Sequence, residues 1–482
     1  MNVATCDFTL EPDCGRVLLR PFVQVDLEHV TGIISRTLAL TDQETDSQLA
    51  AILHEFGGRH RNIEKTWLRQ FKSVEPYVFP NEKLSSNRRL LIGALFTGEY
   101  AFEGAALFNP SIVPHPDQTG LGDNELRFVM SLRATGEGHI SSIEFRTGVI
   151  RQDFSVQLDT VQPFAEEAEL IENPTFPKSI FEAELRDAGL ENEWSKALLA
   201  SLPEIFALQE LIKAVETAFG SNEPGSEINE ILACLRALVR SNYETRFDPS
   251  LSISQRIVFP VSPGESSGIE DARFVRFTGL SGASVYYATY TAFNGRKILP
   301  QLIETDDFLH FRFRTLQGTG AQNKGMALFP RRIGKSYAML SRFDDENLFL
   351  LSSDDLYFWS GPRPLLQPKY FWESIKIGNC GSPIETDEGW LVLTHGVGPM
   401  RKYSLGAVLL DLDDPSKIIG RLSSPLIQTG TDDWSGYVPS VIYTCGGLVH
   451  RGRLLLPYAK NDRVTTIATI EIARVLSAIK RE

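Results

Sequence analysis

At 482 residues the chain is longer than one hydrophobic core can organise, which implies two domains or one large closed architecture with an appendage. With 42% hydrophobic and 23% charged residues it has the composition of an ordinary globular protein, and a formal net charge of −13 excludes the extended basic face that nucleic acid or an anionic membrane requires. No apolar run approaches the roughly 18–20 residues of a membrane-spanning helix.

The opening stretch, "MNVATCDFTLEPDCGR", has no basic segment followed by an apolar one, so no secretory signal is expected. The five cysteines, Cys6, Cys14, Cys234, Cys380 and Cys445, are scattered and in no ligand spacing. They point to a reducing cytoplasm, with neither a disulfide framework nor a zinc site.

After a short extended start, the first hundred residues read as helical. Thr41 to Glu44 form a capping box, and Leu49, Ile52, Leu53 and Phe56 follow at helical spacing until Gly57-Gly58. A second helix carries Ile63, Trp67, Leu68 and Phe71, and a third is expected across "SSNRRLLIGALFTGEYAFEGAALF". A β-like segment follows, beginning at "FNPSIV". A second helical block occupies roughly 179–247. Both helical blocks are amphipathic, so they are expected to pack together beside the rest of the chain.

From about 255 to 470 the pattern changes to short alternating strands separated by Gly, Asp and Asn turns. "EDARFVRFTGLSGASVYYATYTAF", "GMALFPRRIGKSYAMLSRFDD", "GSPIETDEGWLVLTHGV" and "VPSVIYTCGGLVHRGRLLLPYAKND" repeat one plan: apolar strand, Gly-centred turn, apolar strand, polar end. With "FNPSIV…RFVMSLRATG" as the first unit there are five, within reach of the blade-sized repeats of β-propellers. The expected fold is therefore an all-β five-bladed β-propeller with an added α-helical N-terminal segment and a helical insertion. The boundaries are 1–105 for the helical appendage, 106–157 for the first blade, 158–250 for the mainly helical insertion and 251–482 for the remaining blades.

In a propeller, equivalent positions of different blades converge on one mouth of the channel. Blade entrances and second-strand ends contribute Asn109, Arg133, Asp271, Arg273, Lys324, Arg342, Lys376, His395, Tyr403, Tyr443 and Asp462. Clustering of Lys324, Arg342, Lys376 and His395 would be repulsive unless an anion sits among them, and phosphate suits both the Arg fork and the Lys point charge. The stretch "SGIEDARFVRF" adds an acid pair, Glu270 and Asp271, directly before a strand. Trp372 and Trp390 read as blade core rather than sugar platforms. Asp411, Asp413 and Asp414 read as a capped turn rather than a metal loop.

"GIEDARF" resembles the signature of glycoside hydrolase family 130, the β-mannoside phosphorylases and β-1,2-mannosidases. "KGMALFPRRIGKSYAMLSR", "WESIKIGNCGSPIETDEGWLVLTHGV", "YSLGAVLLDLDDPSKIIGRLSSPLI" and "GYVPSVIYTCGGLV" resemble family blocks in the same order. The resemblance covers most of 255–475 and the first blade, and neither helical block. It implies a five-bladed propeller that cleaves a β-mannosidic bond with inversion, giving α-mannose 1-phosphate and a shortened acceptor sugar. Asp271 then falls on the general acid; Arg342, Lys376, His395, Lys324 and Arg133 fall on phosphate-binding positions. Asn109, Glu270, Arg273, Tyr403, Tyr443 and Asp462 fall at or beside the sugar. The implied reactants are a mannose-containing oligosaccharide and inorganic phosphate as co-substrate, with no cofactor or metal. No nucleic acid or membrane partner is expected, and homo-oligomerisation stays open.

Three features depart from the family pattern. Lys324 replaces an arginine, keeping charge and losing the fork; Ala272 replaces a proline; and "FDDENL" after Arg342 differs from the phosphorylase loop. The family's mannosidases lack the full cationic set, so its near-complete presence favours phosphorolysis. The alternatives are a β-mannosidase of the same fold and a non-catalytic glycan-binding propeller. The Asp271 pKa is expected to be raised by desolvation and Glu270 and lowered by the cations, a balance that sequence does not decide.

Overall fold

The computed structural model describes residues 4–6, 8–22, 26–78, 83–219, 225–430 and 436–481. Five antiparallel units succeed one another along the chain. The first comprises Ala106–Pro114, Leu126–Thr135, Ser141–Ile150 and Val156–Leu158. The second comprises Gly268–Thr278, Ser284–Phe293, Ile298–Thr305 and His310–Thr315. The third runs from Ala327–Leu328 to Arg363–Leu366, the fourth from Lys376–Asn379 to Ile418–Arg421, and the fifth from Ile442–Tyr443 to Val464–Glu471. A parallel contact between Ser141 and Gly268 joins the first two units into one continuous sheet.

Each unit packs on the next, and the fifth packs on the first. Period-2 alternation makes this possible, because each strand presents one face to either neighbour. In Gly389–Gly398, Leu391 and Leu393 enter the core shared with the fifth unit, while Trp390 and Val392 enter the core shared with the third. In Arg453–Lys460, Leu454 and Leu456 face the fourth unit and Leu455 faces the first. Two further cores close the circuit, one between the first and second units and one between the second and third. Trp390 is fully buried in the core shared with the third unit, whereas Trp372 is only partly buried and lies over Gly396 and Gly406.

The N-terminal helices are α1 (Leu27–Leu38), α2 (Asp42–Phe56), α3 (Ile63–Val74) and α4 (Ser86–Leu95). The Thr41/Glu44 capping box starts α2 as expected, and the helix stops at Gly57. The third predicted helix is shorter than its sequence suggested. It ends at Leu95, Thr97–Tyr100 then pairs with Leu18–Pro21, and Ala106 already begins the first unit. Thr97–Tyr100 finds a strand partner there, and tertiary pairing overrides helical periodicity. Gly93 lets α4 lie on α3, since a Cβ would strike the Trp67 carbonyl.

The insertion helices are α5 (Lys178–Asp187), α6 (Glu193–Ala200), α7 (Leu208–Phe219) and α8 (Ser226–Ser241). They enclose a core of their own, around Phe176, Phe181 and Phe206, separate from the two clusters within α1–α4. The two helical blocks, expected to pack together, keep separate apolar cores and meet through polar links from the N-terminal block to non-helical segments of the insertion. Arg20 pairs with Glu167 at 2.6 Å, Lys65 with Glu169 at 2.7 Å, and Arg61 donates to Ser250. Two further details were not anticipated. Ala4–Thr5 pairs with Val464–Glu471 as an added strand of the fifth unit. A buried square of charges, Arg16, Glu103, Glu144 and Arg146, has ion pairs of 2.6–3.2 Å that fasten the N-terminal segment to the first unit. Among the described residues no helix is long and apolar enough to cross a membrane, and none of the five cysteines is in a disulfide.

Candidate active site

Two matching irregularities build the acid side of the site. In the second unit the register slips between Glu270 and Arg273, and Asp271 adopts φ +56°. In the first unit it slips between Phe108 and Ser111, and Asn109 adopts φ +49°. Asn and Asp tolerate this left-handed backbone, and a bulge re-aims its side chain. The result is contact across units: the Asn109 side-chain amide donates to Asp271 Oδ1 at 2.7 Å.

Cations surround the acid pair. Arg133 donates to Glu270 at 2.8 Å and to Ser141 at 2.9 Å, with its other Nη 3.5 Å from Asp271. Lys324 reaches the second Glu270 oxygen at 2.5 Å. Arg273, wholly buried, donates to the Cys380 carbonyl at 2.7 Å, the Asp271 carbonyl at 2.9 Å and the Tyr443 hydroxyl at 3.0 Å. It thereby ties the bulge of the second unit to the fourth and fifth.

A second group lies on the third and fourth units. Arg342 and His395 are buried, 3.4 Å apart from Nη1 to Nε2. Gly325 and Gly378 make their approach possible, since a Cβ at either position would strike the Arg342 side chain, and at Gly378 His395 as well. His395 stacks on Tyr403 with ring centroids 5.9 Å apart and meets Tyr443 edge-on at 5.1 Å. Lys376 sits on the strand paired with that of His395 and contacts Asp345 at 3.1 Å. Among the described residues Arg342 has no carboxylate within ion-pair distance.

These surroundings set the charges. Burial raises the Asp271 carboxyl, but Arg133, Arg273, the Asn109 amide and Lys324 outweigh it and hold it down at about 2. The cations win the balance that the sequence left open. Asp462 behaves oppositely: burial and the neighbouring Asp271 charge push it up to about 6, against Arg133 and Arg401. Burial, then Arg342, Lys376 and Arg273, drive His395 well below its ordinary value, so its imidazole is neutral.

The expected residues thus divide into two sets. Asn109, Arg133, Glu270, Asp271, Arg273 and Lys324 meet around the acids, while Arg342, Lys376, His395 and Tyr403 meet on the other side, with Tyr443 bridging them. Lys324, expected among the anion ligands, pairs with Glu270. The expected four-cation repulsion is relieved within the chain, because His395 is neutral and Lys324 and Lys376 each have a carboxylate. Sequence reasoning did not find Asp345, although it lies in "FDDENL", nor the cradle glycines, whose signal is a glycine in a strand or at its entrance. Asp411 accepts from the backbone N–H groups of Asp413 and Asp414 as a capped turn, and no metal-holding cluster occurs among the described residues. Two clefts elsewhere, of about 910 and 500 Å³, contain none of the expected site residues.

A family model described as β-1,4-mannooligosaccharide phosphorylase, glycoside hydrolase family 130, matches residues 250–481. A 1,2-β-oligomannan phosphorylase of Thermoanaerobacter sp. (strain X514) is 34% identical over 43% of this chain and 70% of its own length. A β-1,2-mannobiose phosphorylase of the same organism is 32% identical over 48% of this chain and 74% of its own. The solved β-1,2-mannobiose phosphorylase of Listeria innocua aligns with 78% of this chain and 92% of its own at 19% identity and a TM-score of 0.46. Matched to the first two relatives over more than two thirds of their length, this chain belongs to glycoside hydrolase family 130.

Proposed function

We propose that the chain is an inverting β-mannoside phosphorylase built on a five-bladed propeller. Phosphate attacks the anomeric carbon, the glycosidic C–O bond breaks, and the products are α-mannose 1-phosphate and the shortened acceptor sugar. The ring of mutual contacts among five antiparallel units supports the propeller. The helical segments before 106 and within 158–250 are additions to it.

The observation that carries the reading is Arg342. A buried guanidinium with no carboxylate partner among the described residues, beside Lys376 and a neutral His395, is suited to a bidentate oxyanion. Phosphate held there needs no carboxylate base, because it is already an anionic nucleophile. Asp271 is the proton donor, directly or through a sugar hydroxyl. Held at about 2 in the free protein, it must take up a proton in the ternary complex. The negative charge of phosphate and the exclusion of water by the sugar both act in that direction. Asn109, Glu270, Arg273, Tyr403, Tyr443 and Asp462 orient the sugar and the acid.

The test is turnover of β-mannosyl disaccharides with and without phosphate, in the wild type and Arg342→Ala. Phosphate-dependent turnover that the variant loses supports the reading. Turnover indifferent to phosphate and to the substitution contradicts it and favours a hydrolase.

A further inference from the structure

We infer that Asp345 makes the anion site select protonated oxyanions, phosphate over sulfate, an inference that rests on the phosphorylase reading above. Asp345 sits at the tip of the hairpin between Tyr337–Ser341 and Leu348–Ser353, with φ +62° and its N–H bonded to the Arg342 carbonyl at 3.0 Å. The tip is fixed. The Asp344 carboxylate accepts from the backbone N–H groups of Glu346 and Asn347 and from the Asn347 side chain, while Ile377 N–H donates to the Glu346 carbonyl at 3.0 Å. That last bond joins the hairpin to the strand carrying Lys376, and Asp345 Oδ2 lies 3.1 Å from Lys376 Nζ.

An oxyanion bound to Lys376 therefore shares its ammonium with a carboxylate. Two acceptors on one ammonium lie within about 6 Å of each other, twice a hydrogen-bond length. An ionised carboxylate only accepts hydrogen bonds, so it repels an oxyanion unless a proton lies between them. At neutral pH inorganic phosphate keeps at least one P–OH in each of its abundant forms, whereas sulfate keeps none. Phosphate can donate to Asp345 while accepting from Lys376 and Arg342; sulfate can only accept. The charge count agrees: Arg342 and Lys376 supply two positive charges, Asp345 one negative, and His395 none.

The test compares the phosphate KM with the Ki of sulfate as a competitive inhibitor, in the wild type and Asp345→Asn. Arsenate serves as a protonated substitute nucleophile. Asn retains the left-handed backbone, and Asp345→Gly serves as a second variant with the same tolerance. In the wild type, sulfate should bind at least about tenfold more weakly than phosphate, and arsenate should support turnover. In Asp345→Asn the ratio should fall to within about threefold, through tighter sulfate binding. A phosphate-dependent wild type whose ratio is unchanged in both variants overturns this inference alone. Equal weakening of phosphate and sulfate also overturns it, since Asp345 would then only position Lys376. A wild type indifferent to phosphate overturns the phosphorylase reading, and this inference with it.

Discussion

Asp462→Asn isolates the electrostatics of the acid pair. Asp462 lies beside Asp271, and burial together with that charge raises its carboxyl from 3.8 to about 6. Two pKa units correspond to about 3 kcal/mol of differential stability. Because the folded state holds the proton more tightly than the unfolded chain, this contribution is fully present below about pH 4 and is lost as pH rises to about 6. The wild type should therefore lose about 3 kcal/mol, relative to the Asn variant, across that window. Asparagine has no such titration, so the difference should be flat above the window. Urea denaturation of both proteins from pH 4 to 7.5 measures it. A difference independent of pH, or one of opposite slope, refutes the placement of Asp462 against the Asp271 charge.

Asp271→Asn should lower turnover at least ~100-fold while the circular dichroism spectrum and ligand binding remain, because an amide keeps the shape but delivers no proton. Retained activity would remove Asp271 from the reaction. Phosphate should raise the melting temperature of the wild type with increasing concentration, and Arg342→Ala should suppress that shift. An equal shift in the variant would place the anion elsewhere. In the buried charge square, burial and Glu144 raise Glu103, whereas Arg146 and Arg16 overcome burial at Glu144 and lower it. Chemical denaturation at pH 7 should therefore find Glu144→Gln more destabilising than Glu103→Gln, because Glu144 holds the carboxylate charge that offsets the two buried guanidiniums. Equal effects would contradict the asymmetry.

The features legible in the sequence were those encoded locally. The Thr41 capping box and the strand–turn–strand repeats involve neighbouring residues whose spacing carries the signal. The repeat also gave residues from different units equivalent positions, which is why Asn109 and Asp271 could be singled out 162 residues apart. Pairing between distant charges carries no such signal. Lys324 reads as one more cation until Glu270 is seen 2.5 Å away, and Asp345 reads as a loop acid until Lys376 is seen beside it. Ala4–Thr5 is too short a strand for any periodicity to reveal. The truncated third helix shows the same limit from the other side: Leu18–Pro21 supplies a strand partner that no local window contains.

In the proposed reaction a phosphate oxygen, rather than water, attacks the anomeric carbon from the face opposite the leaving sugar. A time course by ³¹P and ¹H nuclear magnetic resonance, with a β-1,2- or β-1,4-mannosyl disaccharide and phosphate, tests it directly. The predicted first-formed product is α-mannose 1-phosphate, appearing in step with the released acceptor and absent without phosphate. Free mannose formed at the same rate with or without phosphate, with no phosphate ester, would contradict the account.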